Sequence, residues 1–158
     1  MRKKIFTILT CLFFLTITSY SQEDYLKIDT IVNPTSICQG QGGVLKIKIT
    51  PRSDIKISSF LGFMIKLDDN ENLSYPKVFF TASELDLQSK QENDTLYLEL
   101  AKDIPIPFKV NGNSLIGKHK ISGEVVFTAV FKDNWSLKTY QKFYADFISI
   151  RNQKEGKK

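Results

Sequence analysis

The strongest constraint on this 158-residue chain is its last third, GKHKISGEVVFTAVFKDNWSLKTYQKFYADFISI, from Gly117 to Ile150. Two long runs rich in β-branched and aromatic residues flank the short polar stretch Lys132-Asp133-Asn134. This pattern predicts two adjacent antiparallel strands joined by a tight connection. A period of two puts Ile121, Gly123, Val125, Phe127, Ala129 and Phe131 on one face of the first run. The opposite face mixes Ser122, Glu124 and Thr128 with Val126 and Val130. A strand with two half-apolar faces belongs in a sheet covered on one side and partly shielded on the other.

Shorter strands fill the chain before it. Tyr25 to Val32 places Leu26, Ile28 and Val32 on one side, and Asn33-Pro34-Thr35 ends that run. After the Gly40-Gln41-Gly42-Gly43 turn, Leu45, Ile47 and Ile49 alternate with Lys46 and Lys48, giving a strand with one wet face. Pro51-Arg52-Ser53-Asp54 turns the chain into Ile55 to Leu67, which is strand-like with a break near Gly62. Asp68 to Ser74 reads as a polar loop and Lys77 to Thr81 as a short strand. Ala82 to Asn93 is a loop or a single helical turn at Ser83 to Leu87. Thr95 to Leu100 alternates again, as does the run Ile104, Ile106, Phe108, Val110, whose outward Pro105 and Pro107 suit an edge strand. Seven to nine short strands without a long helix predict an all-β fold, an immunoglobulin-like antiparallel β-sandwich. A closed barrel is the alternative, which an edge strand marked by prolines disfavours.

The amino terminus has the pattern of a cleaved secretory signal over residues 1–21. Arg2, Lys3 and Lys4 precede an apolar run from Ile5 to Ile17, and Ser19-Tyr20-Ser21 offers small residues before Gln22. The apolar run is shorter than the ~20 residues a membrane-spanning helix needs, so the mature chain is expected to have no transmembrane segment. The expectation is therefore a sandwich domain over 22–151, a polar tail over 152–158, and a periplasmic or secreted location. The whole chain carries 22 Lys and Arg against 17 Asp and Glu. Three of those cations and none of the acids lie in the signal, which leaves 19 against 17. A net charge of +2 gives no reason to expect a nucleic-acid partner. Cys38 is the only cysteine after the signal, so no intrachain disulfide can form. It is read as a buried or idle thiol, with pairing between molecules the alternative.

Catalytic and metal motifs are sparse. His119 is the only histidine, which leaves zinc coordination of the usual composition without ligands. No nucleophile elbow surrounds any serine, and the imidazole, placed just before a long strand, suits a corner-closing hydrogen bond. Asp68, Asn70 and Asn72 match the first three positions of a calcium loop. Leu73 then stands where the glycine belongs and Phe79 where the bidentate glutamate belongs, so the stretch reads as a solvated loop. No cofactor or metal is expected. Trp135, at the connection, is either a partner anchor or a lid on the sheet. Asn72, Asn93 and Asn134 each begin an N-glycosylation triplet.

The segment Gly117-Lys118-His119-Lys120-Ile121-Ser122-Gly123 running into Val125-Val126-Phe127-Thr128 resembles the amino-terminal periplasmic, or disulfide bond corrector, domain of DsbD-type thiol:disulfide interchange proteins. Val32-Asn33-Pro34, the glycine turn and Leu45 to Ile49 fit that domain's opening strands, so the similarity spans Tyr25 to Ile150. In that family a cysteine ends the first strand of the hairpin and another begins the return. The matching positions here are Val130 and Ser136, and thiol exchange needs an attacking sulfur. The resemblance therefore implies the sandwich, an extracytoplasmic setting, and a hairpin surface that docks a protein partner of the cell envelope. The candidate partner-binding residues are Val130, Lys132, Asp133, Asn134, Trp135 and Ser136. A redox-chain component using Cys38 is the first alternative reading, and a hydrolase using His119 the second.

Overall fold

A computed structural model describes residues 24–152; the expected signal over 1–21 and most of the expected polar tail over 152–158 lie outside the described residues. The strands are β1 (Leu26–Asn33), β2 (Ser36–Cys38), β3 (Gly42–Pro51), β4 (Ile55–Ile57), β5 (Met64–Leu67), β6 (Leu73–Ser74), β7 (Phe79–Thr81), β8 (Ser89–Glu92), β9 (Thr95–Leu98), β10 (Ile104–Val110), β11 (Gly117–Phe131) and β12 (Ser136–Ile150). The first sheet has the order β1-β3-β10-β6 and the second β2-β12-β11-β5-β7, with β4 also on β11; β8 and β9 form a separate two-stranded arm. Two sheets facing each other in this order make an immunoglobulin-like sandwich. The strand count exceeds seven to nine because the run Ile55 to Leu67 is split into β4 and β5 and because the two- to four-residue strands β2, β6 and β8 are added. Such short pairings leave little periodicity in a sequence.

The core is built by the alternation described above. Leu45, Ile47 and Ile49 of β3 are buried while Lys46 and Lys48 are exposed. Ile104, Ile106, Phe108 and Val110 meet them from the neighbouring strand, with Pro105 and Pro107 outside. Ile121, Val125, Phe127 and Ala129 supply the facing layer, together with Phe143, Ala145 and Phe147 of β12. Gly123 lies in this layer because a Cβ there would fall 2.4 Å from the Lys66 carbonyl oxygen and 2.7 Å from Phe143. The close approach of β5 and the Phe143 ring thus depends on an absent side chain.

Several local expectations are refined. β10 is not a free edge along its whole length, since Lys109 and Val110 pair with β6; the two prolines precede that contact. Pro34 ends β1, and the chain then enters the second sheet as β2, parallel to the end of β12. The Ala82–Asn93 region holds both a turn and the strand β8. Its turn is closed by reciprocal bonds: Thr81 N donates to Glu84 Oε2 at 2.9 Å and Glu84 N to Thr81 Oγ1 at 3.4 Å. This is a capping box around one helical turn. At the sandwich's open side, Leu26 N donates to Gln141 Oε1 (2.9 Å) and Thr30 Oγ1 to the Tyr144 carbonyl (2.6 Å), joining the two sheets.

Candidate partner-binding surface

The long hairpin sets the geometry of the candidate site. Asn134 N donates to the Phe131 carbonyl and Phe131 N to the Trp135 carbonyl, both at 3.0 Å, while Asn134 has φ 62°. This is a type I turn closed by a left-handed residue, and asparagine tolerates that conformation better than most side chains. Since Phe131 bonds Trp135, the alternation of an antiparallel ladder makes the next pair, Val130 and Ser136, a non-hydrogen-bonded one. Their side chains stand directly opposite on the outer face of the sheet.

That pair lines a surface groove of about 580 Å³ with Asn134, Phe60 and Leu61 from the β4–β5 connection, and Asn93 and Tyr97 from the β8–β9 arm. A smaller recess of about 230 Å³ shares Asn93, Tyr97, Val130 and Asn134 and adds Lys132. The arm is tied down as the groove's wall. Ser59 N donates to the Leu96 carbonyl (3.1 Å), Ser58 bridges Tyr97, and Lys56 pairs with Glu92 while its ammonium lies 4.8 Å from the Tyr97 ring centroid. Lys56, with Lys90 behind it, holds the Glu92 carboxyl below its usual range. Leu61 is fixed over the strand by Thr128 Oγ1, which donates to its carbonyl at 2.8 Å.

Val130, Asn134 and Ser136 therefore converge in the larger groove, and Lys132 joins them in the smaller recess. Asp133 and Trp135 line neither. Trp135 is stacked on Phe131 at 3.8 Å between centroids, Phe131 meets Tyr25 edge-on at 5.7 Å, and the Arg52 guanidinium carbon lies 5.1 Å from the Tyr25 centroid. The indole covers Phe131 with one face, the lid reading, while remaining 49% exposed. Phe60 and Leu61 were not singled out from sequence. Their adjacency beside Gly62, inside an otherwise alternating run, was the available signal, because neighbouring residues cannot both face the core from one strand.

Beyond the groove, the outer face of the second sheet carries further exposed apolar side chains. Among the described residues, Phe60, Leu61, Phe79, Tyr140, Tyr144 and Ile148 are exposed large hydrophobics on the outer face of the second sheet or its margins. The first sheet contributes Ile31 on β1.

The other candidates lie elsewhere. Cys38, half-buried on β2, pairs with Ile150 at the far end of β12 from Ser136. Fourteen residues of extended chain separate those ends, roughly 45 Å at strand rise, so Cys38 does not stand in for a sulfur at the groove. His119 Nε2 donates to the Leu115 carbonyl at 2.6 Å and its ring stacks on Phe147 at 5.4 Å, which is the corner-closing arrangement. The Asp68–Asn72 loop spends its amides on backbone within it and beside it: Asn70 Oδ1 accepts from Asn72 N, Asn70 Nδ2 donates to the Lys120 carbonyl, and Asn72 Oδ1 accepts from Leu115 N. Among the described residues no three His, Cys, Asp or Glu side chains converge as a metal site would require, and no helix is long and apolar enough to cross a membrane.

No protein-family model and no curated protein matches the chain. Among solved structures it is similar to the major pilin subunit of Bacillus cereus (11% identity, 80% of this chain and 40% of that one, TM-score 0.43). It is also similar to a type I cohesin–dockerin complex from Clostridium thermocellum (18%, 78% and 99%, 0.40) and to a conjugative transposon lipoprotein from Bacteroides eggerthii (14%, 77% and 98%, 0.35). The chain spans two-fifths of the pilin's length. Likenesses this distant carry no functional argument.

Proposed function

We propose that this chain is a non-catalytic, immunoglobulin-like domain of the cell envelope that binds another protein through the outer face of its second sheet and the groove at the hairpin tip. The observation that carries this reading is the gathering of exposed apolar side chains, from Phe60 and Leu61 to Tyr140 and Tyr144, on one face of the molecule. Contiguous exposed apolar area rimmed by polar groups marks an interaction site. The resemblance to the amino-terminal domain of thiol:disulfide interchange proteins supports the same surface. Val130 and Ser136, the positions the resemblance matches to that family's thiols, are cross-strand partners, and a valine and a serine supply no nucleophilic sulfur. What is left for the groove is recognition. The signal-like amino terminus supports a periplasmic or secreted location.

The test places a photo-crosslinking amino acid at Leu61, at Tyr144 and, on the opposite sheet, at Lys48, in the full chain expressed in its native host. A discrete adduct at the first two positions and none at Lys48 is expected. Identical patterns at all three, or none at any, would overturn the assignment of this face.

A further inference from the structure

The occupant's chemistry follows from how charge and aromatics interleave along β12. Its outward residues run Lys138, Tyr140, Lys142, Tyr144, all exposed, with the two rings 44% and 59% accessible. Outward side chains of a strand recur every ~6.7 Å, so cation and ring alternate at that interval. The backing strand adds Lys118 and Lys120, the latter with its ammonium 5.2 Å from the Tyr144 ring centroid. Counting the strand positions of β5, β11 and β12 on this face, Lys66, Lys118, Lys120, Lys138 and Lys142 face only Glu124 and Asp146. Glu124 lies 3.5 Å from Lys66 on the far side. Glu124 also stands directly across from Lys142 and Asp146 across from Lys120, whereas Lys118 and Lys138 stand opposite Ile148 and Thr128. These positions sum to +3, more than the +2 of the chain after its signal, so the excess charge is concentrated where the aromatics are exposed.

We propose that the partner docks here through an extended acidic segment, with carboxylates against Lys138 and Lys142 and apolar side chains between them on Tyr140 and Tyr144. The inference rests on the protein-binding reading above and adds the partner's chemistry. An extended peptide repeats its same-side residues at the spacing of β12 itself, so acidic and apolar residues at alternate outward positions would match the row in register. A second copy of this chain is a poor occupant, because an isologous contact sets the same lysines against each other.

The test uses fluorescence anisotropy at low ionic strength with the chain from Gln22 to Lys158. The probe is a labelled synthetic peptide in which glutamate and phenylalanine alternate at every second position with serine between. Its counterparts carry lysine for glutamate, or are a single-stranded oligonucleotide of equal charge. The acidic peptide should bind, the lysine peptide should not, and raising salt should weaken the complex. Lys138→Glu with Lys142→Glu, and separately Tyr140→Ala with Tyr144→Ala, should each weaken binding by about tenfold or more. Lys46→Glu with Lys48→Glu on the first sheet should change it less than about twofold. Should the tyrosine pair unfold the domain, the lysine pair, exposed on the strand, still decides. Failure of the acidic peptide to bind folded protein overturns the proposal. So does an equal effect of the first-sheet lysines, or oligonucleotide binding of equal strength that ignores the tyrosines. Crosslinks at Tyr144 without affinity for the acidic peptide would remove this inference and leave the docking surface standing.

Discussion

The pairing of Val130 with Ser136 makes a sharp prediction about an engineered bond. The double variant Val130→Cys, Ser136→Cys, in a Cys38→Ser background, puts two thiols directly opposite across the hairpin. Because Phe131 and Trp135 form the hydrogen-bonded pair next to them, Val130 and Ser136 occupy a non-hydrogen-bonded site, where Cα atoms are ~4.5 Å apart. That spacing lies at the short end of the ~4.4–6.8 Å range disulfides use. Ser136 is exposed and Val130 half-buried, so neither replacement empties the core. The closed loop spans seven residues, and the chain-entropy relation then gives about 2 kcal/mol of stabilisation. Oxidation in air should form the bond without unfolding. Alkylation followed by mass spectrometry should find no free thiol, and denaturant titration should show a higher midpoint that dithiothreitol removes. Two free thiols in a folded, oxidised sample would refute the register. The matching of these positions to the family's cysteines would then lose its geometric support.

Other expectations are simpler to state. Ile47→Ala, at a fully buried site, should cost ~2–5 kcal/mol, while Lys46→Ala and Lys48→Ala stay within ~0.5 kcal/mol; equal losses in urea titrations would contradict the assigned faces. Gly123→Ala should destabilise by ~1–3 kcal/mol, since the added methyl meets the Lys66 carbonyl oxygen, which the sheet holds in place; an unchanged midpoint would show that β5 is free to shift. Asn134→Ala should lose about 1 kcal/mol at its left-handed turn while Asn134→Gly remains within ~0.5 kcal/mol, again read from denaturation midpoints. Lys77, with Thr81, holds the exposed Glu84 carboxyl down to about 2. A depressed folded pKa stabilises above the unfolded value, so the stability gap between native chain and Glu84→Gln should be present at pH 7. It should shrink as pH falls from about 4.5 towards 2, and a gap independent of pH would exclude the ion pair as its cause.

The candidate site was legible in part, and the dividing line is local against distant. Val130, Lys132, Asn134 and Ser136 are found by reading one hairpin, whose two strands are adjacent in sequence and whose pairing is dictated by a short turn. Phe60, Leu61, Asn93 and Tyr97 come to the same groove from segments tens of residues away. Their placement depends on where the β4–β5 connection and the β8–β9 arm fold back over the sheet. Trp135 illustrates the same limit: sequence places it at the turn, but only its stack on Phe131 shows that it faces away from the groove.

For the fold, alternation determined which residues of β3, β10 and β11 face the core, because burial on one face of a pleated strand imposes a period of two on the sequence itself. It determined the long hairpin for the same reason, and the class of fold followed from many such strands with no helix. The tertiary structure alone decided the partners of the short strands, the crossing of the chain at Pro34 into the second sheet, and which sheet face is left uncovered. Pairings of two or three residues are held by backbone bonds that any side chain permits, so the sequence does not say which strand they join. An uncovered face differs from a buried one only in what packs against it, and that is a property of the whole chain.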